Sequence, residues 1–313
     1  MRYGATQKAS DSQARSEPPS KRFWRNEEPS MTVTGLPTLS EITACKFELV
    51  DGNVAVVTLN RPERLNTLSG DMHRDLIVCW EEINSNPEIR AGVVTGEGRF
   101  FCAGRDIKEY MDFYGSDGAP SRLRAIDDPD SPIFGMHAHH YEFTKPMVAA
   151  LNGPAAGGGL SLALTCDMLV MADDAYVKDA HAKVNVEGGS WLLWFLPPMI
   201  ARELAMTDRR LTAEECLHYG LANYVVPRGE VRAKAMEVAR ATTAMGPDAI
   251  RALRAASTEY LVNAKKIQPN RRAEWLERGR EHMEALRSHA DPDVAEGMRS
   301  FLDKREPSYQ KPS

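Results

Sequence analysis

Residues 145–167, KPMVAALNGPAAGGGLSLALTCD, constrain this chain more than any other segment. MVAAL is an apolar run of strand length, Asn152-Gly153 marks a turn, and Gly157, Gly158 and Gly159 open a helix that begins at about Gly158. Three residues without a Cβ let a ligand lie directly against the backbone. The helix start adds N–H groups without intrahelical partners and the positive end of a dipole. Such a turn suits negative charge that develops during a reaction, the role of an oxyanion hole. The same glycines also serve a close strand–helix contact, so packing and function both remain open at this point.

The remaining pattern is that of an α/β protein. CKFELV (45–50) and VAVVTLN (54–60), joined by Asp51-Gly52-Asn53, form a hairpin signal. An amphipathic helix follows, capped by Ser69, with Met72, Leu76, Trp80 and Ile83 on one face. AGVVTG (91–96) is a buried strand that runs into a glycine-rich turn at 97–104 and a helical DIKEYMDFY. Strand character returns over 168–177, then a helix and strand over 211–226, and from Gly229 onward the pattern is helical, broken at Gly246-Pro247, Pro269 and Pro292. Strands alternate with helices early and helices dominate late, which predicts an α/β core with a helical C-terminal part. The expected organisation is a disordered extension over 1–40, a core over 41–228 and a helical region over 229–313.

With 313 residues the chain can bury a sizeable core. A net charge of −5 leaves no basic excess to neutralise phosphates, which argues against nucleic-acid binding. No apolar run reaches the ~18–20 residues that a membrane span needs. Five cysteines without CxxC spacing fit a reducing, cytoplasmic setting and no zinc or other metal site; Cys102 and Cys166, beside the glycine motifs, read as packing residues. His137, His139 and His140 cluster in MHAHHYEF, but nothing near them completes a recognised metal spacing.

Four motifs in order, RPERLNTL at 61–68, GRFFCAGRDIKEY at 98–110, the glycine segment, and DPDVAEGMRSFLDKREPSY at 291–309, strongly resemble the crotonase (enoyl-CoA hydratase/isomerase) superfamily. The resemblance covers about residues 44–309. It implies a spiral of ββα units with a helical trimerisation region, self-association as trimer or hexamer, and an acyl-CoA thioester as substrate. No separate cofactor is implied, because coenzyme A is part of that substrate. By motif matching the thioester oxygen is gripped by the N–H groups of Ala103 and Gly158, beside Gly157. Arg61 and Leu65 line the nucleotide end of CoA, and Asp106 and Ile107 lie near its pantetheine and adenine.

The chain also departs from the family. Hydratases carry one glutamate just after GGG and a second twenty residues later; here Ser161 and His181 stand at those positions. His181 is the sharpest candidate for proton transfer, since an imidazole titrates near neutrality. Glu187 is the candidate partner that orients its ring, and Ser161 a candidate for holding water. GGG-x-S and GRDIKEY also resemble feruloyl-CoA hydratase-lyases, in which the tyrosine matching Tyr110 helps hold an aromatic substrate. The leading expectation is hydration or dehydration of an α,β-unsaturated thioester. Hydrolytic cleavage of a β-dicarbonyl compound, double-bond isomerisation and an inactive scaffold remain as alternatives.

Overall fold

The computed structural model describes residues 36–109, 111, 143–184, 189–263 and 292–308. The chain divides into residues 1–34 and 35–313, and every described residue belongs to the second unit. The expected disorder over 1–40 therefore falls mostly outside the described residues. Its boundary lies a few residues late, because Glu41 N–H closes a turn on Thr38 O at 2.9 Å and Leu39 and Ile42 pack against the core.

The predicted hairpin is present. Strands β1 (Cys45–Val50) and β2 (Val54–Leu59) are antiparallel, with Val50 opposite Val54. Asp51 and Gly52 have φ of 54° and 76°, the two positive values that a twist-matched hairpin turn demands. Helix α1 (Gly70–Ser85) starts where Ser69 accepts a hydrogen bond from Met72 N–H, and Met72, Leu76, Trp80 and Ile83 are fully buried beneath it. β3 (Ala91–Gly96) then pairs in parallel with β2, and β4 (Met147–Leu151) in parallel with β3.

The predicted strand 168–177 is two strands in different sheets. β6 (Met168–Ala172) pairs with β4, whereas β7 (Tyr176–Lys178) pairs with the two-residue β5 (Ala155–Ala156). The break comes at Asp173-Asp174, where Ala175 N–H turns back onto Ala172 O at 3.0 Å. Helices α2 (Gly158–Ala163), α3 (Pro198–Met206) and α4 (Ala213–His218) intervene with β8 (Leu211–Thr212) and β9 (Tyr224–Val226). The result is a six-stranded sheet in the order β1-β2-β3-β4-β6-β9, parallel except for β1, and a three-stranded sheet β5-β7-β8. β2, β3 and β4 are buried along their whole length, as expected of parallel strands covered on both faces.

Helices α5 (Val231–Thr243), α6 (Pro247–Asn263) and α7 (Pro292–Asp303) complete the described chain. α5 lies across β2, β3, β4 and β6 and buries Val231, Ala235, Met236, Val238 and Ala239. The helical region drawn from residue 229 therefore begins inside the core. α7 packs on the turn Ala182–Val184, immediately after His181. Among the described residues no helix is long and apolar enough to cross a membrane.

Candidate active site

Three loops leave the C-terminal ends of β2, β3 and β4 and bind one another, the usual place for a site in a parallel sheet. Asn66 is their hub. It is fully buried, and its side chain accepts from Arg61 N–H and donates to Glu97 O and Phe100 O at 2.8–2.9 Å. Cys102 N–H donates to Pro154 O and Ala156 N–H to Cys102 O, which fastens the second loop to the third. On its far side the third loop is fastened to β7 by Gly157 N–H, which donates to Lys178 O at 3.0 Å. Segments 102–105, 155–158 and 176–181 thus run side by side.

The backbone geometry of these segments settles which amides face one another. Ala103 N–H donates to Leu65 O at 3.0 Å, so its single hydrogen is committed within the protein and Ala103 does not serve as an oxyanion donor. Gly104 has φ +96°, a value that breaks the alternation of an extended strand. Leu68 then bonds Gly104 O and Asp106 N–H, a parallel bridge that turns the N–H of Arg105 to the opposite side, toward the glycines. The Arg105 nitrogen lies 3.8 Å from where a Cβ of Gly158 would stand. Gly157, at φ 49° and ψ −121°, reverses the third loop so that Gly158 N–H begins α2. Gly159 permits the closeness of the two segments, because a Cβ there would meet Cys102 O at 2.3 Å.

His181 sits against this turn. Its Cε1 and Nε2 lie 3.7 and 3.9 Å from the Cβ position of Gly157. Its Nδ1 is 2.6 Å from Asp179 Oδ1, and its backbone N–H donates to the same oxygen at 2.9 Å. With Nδ1–H donating to the carboxylate, the lone pair is on Nε2, on the side of the glycines. The partner of His181 in the structure is thus Asp179, a residue that sequence patterning passed over. An acid two residues before a backbone N–H is the mark of an Asx-type turn, and DAH at 179–181 carried that signal. Glu187 and Tyr110 lie outside the described residues, as do His137, His139 and His140.

Ser161 is one helical turn beyond Gly157, on the same side of α2. Its N–H donates to Gly157 O at 3.0 Å and its Oγ approaches the same oxygen at 3.5 Å. Arg61 and Asp106, expected along CoA, bind each other: both terminal guanidinium nitrogens, Nη1 and Nη2, stand 3.2 Å from Asp106 Oδ2, which also accepts from Thr67 Oγ1 at 3.1 Å. That pair braces the first loop against the second. Leu65 adopts a left-handed φ of 52° and, like Ile107, is partly exposed. Burial pushes the Glu109 carboxyl up from its ordinary value, and the neighbouring Asp106 adds to the rise while Gly70 N–H opposes it. Burial also pushes the Cys102 thiol up to about 12, so it stays protonated and packs as expected.

The family model for enoyl-CoA hydratase/isomerase matches residues 50–312. Enoyl-CoA hydratase EchA19 of Mycobacterium tuberculosis is 32% identical over 269 residues, spanning 83% of this chain and 94% of its own. Mevalonyl-coenzyme A hydratase SIDH of Beauveria bassiana is 30% identical over 286 residues, spanning 90% and 99%. The crystal structure of a carnitinyl-CoA hydratase from Mycobacterium avium is similar with a TM-score of 0.67 at 31% identity, covering 85% of this chain and 98% of that one.

Proposed function

The chain belongs to the enoyl-CoA hydratase/isomerase family, and from that premise we propose that it hydrates an α,β-unsaturated acyl-CoA thioester, and in reverse dehydrates the β-hydroxyacyl product, through a single imidazole. The thioester oxygen is held between the N–H groups of Gly158 and Arg105. Each such donor is worth about 3–4 kcal/mol as charge builds on that oxygen. His181 Nε2 takes a proton from water as the water oxygen bonds to the β-carbon and the π electrons move onto the thioester oxygen. The same proton then passes to the α-carbon as the enolate collapses. Ser161, one turn from Gly157, holds the water. Leu65 and Ile107 flank the CoA chain, while Arg61 and Asp106 keep the loop between them in place.

The observation that carries this reading is the placement of His181 Nε2 3.9 Å from the Cβ position of Gly157, with Nδ1 on a carboxylate. The family's glutamate pair is replaced by one ring and one hydroxyl, which suits a single base that accepts and returns one proton. Self-association as a trimer or hexamer belongs to the same reading. It is supported by Met199, Met206 and Leu253, apolar side chains that are 72, 75 and 63% exposed.

The test is turnover of crotonyl-CoA and a hydroxycinnamoyl-CoA by the wild type and by His181→Ala. The expected result is hydration of at least one thioester and a fall in kcat on the order of 100-fold or more in the variant. A variant that keeps its rate, or a wild type that binds both thioesters and turns over neither, overturns the proposal. A β-dicarbonyl thioester joins the panel because an Asp–His pair activates water equally well against a ketone carbonyl.

A further inference from the structure

The carboxylate behind His181 is placed in a way that packing alone does not account for. Asp179 follows β7 directly, and its side chain is 1% exposed. Oδ1 takes both hydrogen bonds from His181, from the backbone N–H and from Nδ1. Oδ2 is buried without a hydrogen-bond partner among the described residues. It is walled in by the backbone of Gly189, where a Cβ would stand 2.2 Å from Oδ2 and 2.5 Å from the Cβ of Ala205. A buried oxygen with no partner costs on the order of 1–3 kcal/mol, more when it carries charge. An apolar residue of similar size would fill the same space without that cost. The arrangement makes sense if the charge is used.

We propose that Asp179 is the positioning residue of this site. It fixes the imidazole as the Nδ1–H tautomer, with the Nε2 lone pair toward Gly157, and it stabilises the ring while Nε2 carries the substrate's proton. The inference rests on the reading of His181 as the proton-transfer group and adds the group that sets its tautomer. Two bonds specify the contact: the backbone N–H places the carboxylate at the root of the His181 side chain, and the ring then has one rotational setting that satisfies Nδ1. Asp179 gains and loses no proton in the cycle; the proton taken from water resides on Nε2 until it reaches the α-carbon. The unpartnered Oδ2 leaves the carboxylate's charge uncompensated at the start, so the pair gains most when the ring becomes positive.

Histidine labelled with nitrogen-15 reads the tautomer without any substrate, the His181 signals being assigned by their loss in His181→Ala. The expected wild-type spectrum shows a protonated Nδ1 and a bare Nε2 in the neutral ring, and Asp179→Ala shifts the ring toward the Nε2–H form. Asp179→Asn, which keeps an acceptor beside Nδ1 and removes the charge, is expected to lower kcat on the order of 100-fold with little change in KM. In the His181→Ala background the same substitution should cause no further loss. A wild-type ring protonated on Nε2, or a loss that adds to that of His181→Ala, overturns the proposal; the wild-type spectrum decides even where a variant fails to fold. The expected tautomer with no turnover of any thioester would refute the hydratase reading and leave standing only the part of the proposal by which Asp179 sets the tautomer.

Discussion

The three consecutive glycines offer a test in which one methyl group at a time separates folding from chemistry. At Gly158 the backbone φ lies outside the left-handed region, and the nearest atoms to an added Cβ are Leu68 Cδ1 at 3.2 Å, the Arg105 nitrogen at 3.8 Å and the Gly104 Cα at 3.9 Å. The Leu68 contact is with the end of a flexible side chain. A shift of a few tenths of an ångström relieves it, and the stiffer unfolded chain returns about 0.4–1 kcal/mol. Gly158→Ala should therefore unfold within about 4 °C of the wild type, given about 2–4 °C per kcal/mol for a large domain. The methyl nevertheless fills the gap between the two amides and keeps an oxygen from reaching both. The expected loss in kcat is that of one oxyanion donor, about 100- to 1000-fold, or about 2.7–4 kcal/mol.

The neighbouring glycines should behave differently. Gly157→Ala forces a side chain into φ 49°, ψ −121°, at a cost of about 1–3 kcal/mol, although its Cβ meets His181 at an ordinary 3.7 Å. Gly159→Ala drives a Cβ to 2.3 Å from a backbone oxygen, which no side-chain motion relieves, and should fold poorly. Thermal unfolding and steady-state kinetics on the three variants give the pattern. Full activity in a normally folded Gly158→Ala would refute the placement of the oxyanion between Gly158 and Arg105.

Two further outcomes follow from the loops around the site. Asn66→Ala removes the three hydrogen bonds that a buried side chain makes to Arg61 N–H, Glu97 O and Phe100 O, so the melting temperature should fall by several degrees at about 0.5–1.5 kcal/mol per lost bond; a shift under about 2 °C in a thermal melt would contradict the bracing role. For Glu109 the carboxyl is raised by burial, so over the pH range just above its ordinary value of 4.5 the native state keeps a proton that the unfolded chain has released. Stability should accordingly fall, relative to Glu109→Gln, as pH rises through the raised native value, and a difference that stays constant from about pH 4 to 7 in denaturant titrations would rule this out.

Much of this architecture is written locally in the chain. The Asp51-Gly52-Asn53 turn, the Ser69 cap and the alternation of apolar strands with an amphipathic helix depend on residues close in sequence, and each appears where patterning puts it. The glycines of 157–159 were legible for the same reason, whereas the register that singles out His181 came from the family resemblance. The division of 168–177 was less so, because a turn at two aspartates separates strands that look continuous by composition alone. Tertiary structure decided the partners. Motif matching put the first amide of CAGRD at Ala103, but Leu65 claims that hydrogen and Gly104 turns the strand so that Arg105 faces the glycines instead. Arg61 and Asp106 both suit a ligand until two loops meet and they bind each other. His181 found its carboxylate two residues back, because the turn after β7 folds Asp179 beneath the ring and Gly189 leaves room for it there. A motif specifies which groups are available within a few residues; which hydrogen bond each makes depends on segments distant in sequence that only the packed sheet brings within 3 Å.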